Sequence, residues 1–474
     1  MKRRLTQIKT ETKTKPKITT QTKPKITTQT KPKITTQTKP KITTKKLISP
    51  IKEKLLSSHI SSSNSSSINK KFYEPIDNNL LLQLLSEHLI YLYKYNPKKI
   101  HKNDYIYTER HHQYMLIKNH IQHIINNITI NNDEDINIII NKLNNCFIND
   151  DDNDNIIKKD NYKLIFTSNN LGTGSWGIVN KLEGTTNDII QYTIACKLMQ
   201  HYKFNINEIL YFLMFSKFYF ETGVPHFPIM YSYFYCNNLN DTLPNFIKTA
   251  KLPYFILLTE LCNGTLKNKI LNIISDYDIT IIFNAISQLI IGYSFLHSIG
   301  HIHKDCNNPA NFLFKVVDNI DSYFNYKIIT KNSIKNIYIK NLGYLWIIND
   351  FGVSLPIQND IIDDTYLRLE EYRNFINGIL FFFNTKSYSS SIYNRINSFL
   401  QEILTIIDNY KKEEEFIDYL INNFMISDNN DIKKCMTFNL NYNDTLMNKT
   451  PYILNLTKNN KITLPLFGYV DYKQ

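Results

Sequence analysis

Apolar residues recur at three- and four-residue intervals in the first third of the chain, then give way to shorter runs of β-prone residues. In residues 78–95, Leu81, Leu82, Leu84, Leu85, His88, Leu89 and Leu92 fall on one face of a helix. The same period predicts helices over 109–127 and 134–147. From residue 163 the pattern changes: 163–167, 178–182 and 191–199 read as strands, and 254–258 as a buried strand. Between them lies a helix whose apolar face carries Ile206, Ile209, Leu210 and Leu213. Residues 279–300 hold no charge over 22 positions, long enough to span a bilayer. Asn284, Ser287, Gln288, Ser294 and His297 are spread along that stretch, so a helix buried in a folded domain is expected rather than a membrane span. A helical pattern restarts near Thr365.

Charge is unevenly placed. Residues 1–54 carry 17 Lys and Arg against 2 acidic residues, whereas the rest of the 474-residue chain carries 38 against 40. The basic stretch is built on an octet, Lys-Pro-Lys-Ile-Thr-Thr-Gln-Thr, with prolines at 16, 24, 32 and 40. One isoleucine per octet cannot build a core, so a disordered tail is expected, followed by a Ser/Asn-rich linker over 55–70. Such a tail is either a solvated extension without a dedicated ligand or an attachment to an anionic partner such as nucleic acid, anionic lipid or an acidic protein. It has no aromatic residue on which bases could stack. No apolar run follows Lys2-Arg3-Arg4, so no secretory signal is expected. Cys146, Cys196, Cys236, Cys262, Cys306 and Cys435 are scattered without metal-ligand spacing, which predicts unpaired thiols in a reducing compartment. Asp150, Asp152 and Asp154 alternate as in a calcium loop. Asn155 and Asn161 stand where that loop needs Gly and Glu, so no calcium site is expected.

The candidate chemistry begins at Leu171-Gly172-Thr173-Gly174-Ser175-Trp176-Gly177-Ile178-Val179. Three of the chain's 12 glycines fall within six positions there. Strand-like residues flank both sides, which makes a glycine-rich hairpin rather than the strand–helix turn of a dinucleotide fold. Small residues at its tip let backbone N–H groups approach phosphate oxygens. Further along come Ala195-Cys196-Lys197 at the end of a strand, Glu208 in the following helix, and Thr259-Glu260-Leu261-Cys262 after the buried strand. His303-Lys304-Asp305 and Asn311 then follow the long apolar helix, and Asn349-Asp350-Phe351-Gly352 comes last.

In this order the motifs resemble those of eukaryotic-type protein kinases over about residues 165–380. The Asn/Ile/Lys/Tyr-rich style further resembles the divergent serine/threonine-protein kinases of large DNA viruses of the mimivirus kind. The resemblance implies an α+β, bilobal fold: a small antiparallel-sheet lobe with one helix over 161–262, and a larger helical lobe over 263–474. Residues 71–150 then form a separate helical segment. It also implies ATP and Mg²⁺ as ligands and a protein hydroxyl as phosphate acceptor. The hairpin residues Leu171 to Gly177, with Val179 and Ala195, would hold the nucleotide. Lys197 would contact its α- and β-phosphates and pair with Glu208, and Glu260 and Cys262 would line the hinge. Asp305 would take the acceptor's proton, while Asn311 and Asp350 would hold the metal. A cytoplasmic place, in the host if viral, with virion association as an option, follows from the same resemblance.

Five departures qualify this picture. Asp305 and Asn311 are six positions apart where the family pattern has five, which leaves Asn307 and Asn308 as alternative metal ligands. Asn307 stands where serine/threonine kinases carry lysine, and Lys304 replaces the usual arginine. The 38 residues between Asn311 and Asp350 imply an inserted loop or hairpin over about 318–341. No Ala-Pro-Glu follows Gly352, so the activation segment is short and switching by its phosphorylation is not expected; Thr365 and Tyr366 remain modifiable. A pseudokinase scaffold and a small-molecule phosphotransferase stay open as alternatives.

Overall fold

The computed structural model describes residues 78–94, 104–125, 156–159, 161–174, 177–200, 203–236, 254–357, 364–424, 436–437 and 444–457. The tail, the linker, the helix expected over 134–147 and the acidic loop lie outside them. Two helices come first, α1 (Asn78–Lys94) and α2 (Tyr105–Ile125). Then come β1 (Ile156–Lys159), β2 (Tyr162–Gly174), β3 (Gly177–Thr186), β4 (Ile189–Gln200), helix α3 (Lys203–Thr222), β5 (Met230–Cys236) and β6 (Tyr254–Thr259). The six strands form one antiparallel sheet in the order β1-β2-β3-β4-β6-β5.

Alternate residues of a strand point to opposite faces, so Lys197 and Tyr192 of β4 face opposite ways. Tyr192, Ile194, Cys196 and Leu198 are all buried. Helix α2 covers their face, with the His120 ring edge-on to Tyr192 at 5.1 Å. Helix α3 covers the other face, where Glu208 meets Lys197. A sheet covered on both sides explains why 254–258 reads as an unbroken apolar run.

The sequence reading set 71–150 apart from a domain beginning at residue 161. The described part of that segment is instead built into the sheet's core. Ser86 Oγ lies 2.8 Å from Tyr233 Oη, and the Tyr93 hydroxyl donates to the Tyr231 carbonyl at 2.9 Å. Three helices therefore pack on this sheet, where one was expected.

After β7 (Gly264–Thr265) the chain forms α4 (Leu266–Leu271), α5 (Asp276–Ser298), β8 (His301–Ile302), β9 (Phe312–Val316), β10 (Tyr323–Ile329), β11 (Ile334–Lys340), β12 (Tyr344–Ile348) and β13 (Leu355–Pro356). It continues with α6 (Asp364–Asn384), α7 (Ser390–Asn409), α8 (Glu413–Tyr419), β14 (Met436–Thr437) and β15 (Tyr452–Asn455). Helix α5 starts at a capping box between Ser275 and Asp278. It is the one described helix long and apolar enough to cross a membrane, and 94 % of its apolar window is buried inside the fold. Its polar residues are internal ties. Asn284 Nδ2 donates to the Lys340 carbonyl at 2.8 Å, and Gln288 bonds both the Tyr344 carbonyl and the Trp346 N–H.

The stretch expected to be an inserted loop or hairpin is the hairpin β10–β11, inside a four-stranded sheet ordered β14-β11-β10-β15. Together with β12-β9-β7 and β13-β8, it gives the region expected to be helical three small sheets. The hairpin packs because its inner-face Tyr326 donates its hydroxyl to His226 Nε2 at 2.7 Å, while His226 Nδ1–H donates to the Trp346 carbonyl. Cys196, Cys262 and Cys306 are free thiols. Cys236 corrects the expectation of unpaired thiols: it is disulfide-bonded. Scattered spacing carries no signal of a long-range pair.

Arg110 of α2 holds three parts of this assembly. It donates to Pro225 O and Phe227 O at 2.8 Å each, and through Nε and Nη2 to both carboxylate oxygens of Glu260. Lys315 of β9 also donates to Glu260 Oε1, at 2.6 Å. Burial alone would raise the Glu260 pKa, but Arg110 and Lys315 outweigh it and hold the carboxyl at about 2. Removing Arg110 leaves a buried carboxylate with one counter-charge, so Arg110→Met is expected to cost about 3–5 kcal/mol at neutral pH. Wild-type stability tied to Glu260 is present above pH 4.5 and lost as the pH falls through about 2. The variant should lose less over that window, and urea unfolding at several pH values checks both expectations.

Candidate active site

The glycine-rich segment is a hairpin between β2 and β3, with Gly172 opposite Val179 and Gly174 opposite Gly177. Its tip residues Ser175 and Trp176 lie outside the described residues. A Cβ on Gly177 would sit 2.3 Å from the Leu198 carbonyl oxygen, so only glycine lets β3 run this close to β4. Gly172 faces open space, and its N–H is engaged by Asn170 Oδ1 at 2.8 Å. Asn170 Nδ2 also donates to Thr173 Oγ1 at 3.0 Å. Leu171 is exposed. Val179 pairs across the ladder with Lys197, and Ala195 lies two residues before it, so the three share one face.

Lys197 Nζ lies 2.7 Å from both carboxylate oxygens of Glu208 and 3.8 Å from Asp350 Oδ1. Burial would lower the lysine pKa, but the charges of Glu208 and Asp350 outweigh it and raise it, keeping the ammonium protonated. Asp350 adopts a left-handed backbone, φ 66°, and its side chain is 36 % exposed. Next to it Phe351 is fully buried, 4.4 Å from the Phe215 ring, 5.7 Å from Tyr211 and 5.0 Å from His303. Glu208, Tyr211 and Phe215 recur at three- and four-residue spacing on α3, so one helix face serves Lys197 and Phe351 together.

The loop that carries Asp305 is tied to Asn349, the residue just before Asp350. His303 Nε2 donates to the Asn349 carbonyl at 2.8 Å, and the Asn349 N–H donates to the Asn311 carbonyl at 2.9 Å. Asn311 Nδ2 donates to the Asp305 carbonyl at 2.9 Å and to Asp305 Oδ2 at 2.8 Å. The six-position spacing therefore still brings Asn311 onto Asp305, through a 3₁₀ turn at Pro309–Asn311. Asn308, an alternative ligand by sequence, caps that turn by accepting the Ala310 N–H. Asn307, the other alternative, is exposed, and its backbone crosses α6 where a Cβ on Gly378 would sit 2.0 Å from Asn307 O.

Several contributors carried no local signal. Lys304 has a left-handed backbone, φ 72°, and its N–H donates to Glu371 Oε1 of α6 at 2.5 Å. Glu371 Oε2 in turn lies 2.9 Å from His297 Nε2, and His297 Nδ1 lies 2.6 Å from Glu413 Oε1. Burial would lower the His297 pKa, but Glu413 and Glu371 raise it, so an imidazolium sits between two carboxylates. Tyr372 and Arg368 add further donors to Glu413.

The two residues expected at the hinge have these surroundings. The Glu260 carboxylate is taken by Arg110 and Lys315, and its N–H by Ile229 O at 3.0 Å, so its side chain is a structural ion pair. Cys262 is half-buried, and burial with the nearby Glu260 charge pushes its thiol up to about 12. Among the described residues no three of His, Cys, Asp and Glu converge as a ready cation site. Asp350 and Asn311 offer oxygen donors only, which suits a hard cation sharing its coordination with phosphate. Comparison of the chain with protein-family models and with curated proteins finds no match.

In a helix interior, replacing glycine by alanine ordinarily stabilises by about 0.5–1 kcal/mol. At Gly378 the sign should reverse, with Gly378→Ala costing about 1–3 kcal/mol because the Asp305 loop must move away. Chemical denaturation of this variant gives the sign directly.

Proposed function

We propose that this chain is an ATP-dependent phosphotransferase of the eukaryotic protein-kinase type that passes the γ-phosphate to a protein hydroxyl, of serine or threonine by resemblance. One observation carries the reading: Lys197 stands between Glu208 and Asp350, on a strand-and-helix frame that also positions Asp305. The finer fold goes with it. The six-stranded sheet with α1, α2 and α3 would act as the small lobe and the part from residue 263 as the large one, with ATP between them.

In this mechanism the Lys197 ammonium binds the α- and β-phosphates, and Glu208 holds it in place. Mg²⁺, bound by Asp350 and Asn311, would neutralise charge on the phosphates. Asp305 orients the acceptor hydroxyl and takes its proton as the oxygen attacks the γ-phosphorus. The bond from the γ-phosphorus to the β,γ-bridging oxygen breaks, and its electron pair leaves with ADP. Asn311 keeps the Asp305 carboxylate turned to the acceptor through its 2.8 Å bond. Glu371 fixes the loop backbone one residue earlier. Catalysis by positioning and charge asks for little else from the protein.

A second reading, transfer to a small-molecule hydroxyl, is favoured by the short stretch between Gly352 and the start of α6 at Asp364, which leaves little chain to seat a peptide. Transfer of labelled γ-phosphate to a mixture of basic and acidic protein substrates tests both. Wild type should label protein, and Asp305→Asn and Asp350→Ala should each lose at least about 10²-fold. Equal incorporation by all three proteins would sink the proposal. ATP turnover without protein labelling would support the second reading instead.

A further inference from the structure

The segment that follows Asp350 is fastened on two sides. On one side, Asn207 of α3 is buried, and its Nδ2 lies 3.2 Å from Phe351 O, 3.0 Å from Gly352 O and 2.9 Å from Ser354 O. A side-chain amide has two N–H bonds, so three converging carbonyls must share them. These carbonyls converge because the chain makes a tight turn there, with the Ser354 N–H donating to Phe351 O at 3.1 Å. On the other side, the Ser354 hydroxyl donates to His303 O at 3.1 Å, β13 pairs with β8, and the Ile357 N–H donates to Gly300 O at 2.7 Å.

Asn207 immediately precedes Glu208, so one turn of α3 holds both the partner of Lys197 and the carbonyls just beyond Asp350. Ser354 is the sole hydroxyl between Asp350 and Ile357, and it is buried with its Oγ engaged. A phosphoryl group on it would have to displace the contacts that order the segment. The usual service of such a group, bringing a loop onto a helix by new charged hydrogen bonds, is already done by a neutral amide.

We propose that Asn207 is a positioning residue that fastens the segment after Asp350 to α3, so that Lys197, Glu208 and Asp350 are assembled without phosphorylation of that segment. The catalytic half of this inference rests on the kinase reading above; the fastening half does not. Asn207→Asp keeps the shape but sets a carboxylate against three carbonyls. Asn207→Leu removes the donors without adding charge.

The test is amide hydrogen exchange of the full chain, read beside ATP turnover before and after phosphatase treatment. Both variants should exchange faster over residues 351–357 while α5 stays as protected as in wild type, which shows that the fold is intact. Turnover should fall roughly tenfold or more when the buried carbonyls lose their donor, with a larger effect on kcat than on the KM for ATP. Phosphatase-treated wild type should keep its full rate. Unchanged exchange over 351–357 in both variants, or loss of wild-type turnover on phosphatase treatment, would overturn the proposal. Faster exchange in a protein that transfers no phosphate would sink the kinase reading and leave the fastening role standing.

Discussion

A lysine taken out of water needs a counter-charge within hydrogen-bond reach, and that constraint organises this molecule around Lys197. Removing an ammonium and a carboxylate from water costs several kcal/mol each, recovered only when the geometry is tight. The 2.7 Å contacts from Nζ to both Glu208 oxygens require β4 and α3 to be fixed relative to one another. Fixing α3 also places Tyr211 and Phe215 against Phe351, and hence Asp350 beside the lysine. Sheet, helix and the turn at Asp350 are thus coupled by one charge pair and the aromatic packing beneath it.

Two further buried ionic clusters join other elements of the fold. Arg110, Glu260 and Lys315 join α2 to the stretch after β6 and to β9. His297, Glu371 and Glu413 join α5, α6 and α8, and Glu371 reaches the backbone of the loop that carries Asp305. Such clusters add less to stability than apolar packing of the same volume would. In this protein each charged side chain has its donors or acceptors met from separate elements, so we read them as devices that define relative position.

The residues of the proposed site were the legible part of the sequence. The glycines at 172, 174 and 177, Lys197, Asp305 and Asp350 stand in chain order within local patterns, and each pattern needs a particular residue type at a particular spacing. Glu208 was legible because it falls on the helix just after Lys197. The long-range pairs were not: Arg110 and Glu260 are 150 positions apart, and Asn207 and Ser354 are 147. Helical periodicity found α1 and α2 but could not say what their apolar faces cover, so their union with the sheet came only from the fold. The partner of Glu260 was hidden for a related reason, since its position after β6 does not reveal that Arg110 takes its carboxylate. The β10–β11 hairpin was legible as an insertion; β15, its partner more than 110 residues away, was not.

The central claim is that Lys197, Glu208 and Asp350 make a site for the phosphates of a Mg²⁺-bound nucleotide. Calorimetric titration of the full chain with a non-hydrolysable ATP analogue, with and without Mg²⁺, tests it most directly. The account predicts one-site binding that needs Mg²⁺, is lost in Lys197→Met and persists in Asp305→Asn. Absence of binding to wild type, or equal binding by wild type and Lys197→Met, would contradict it.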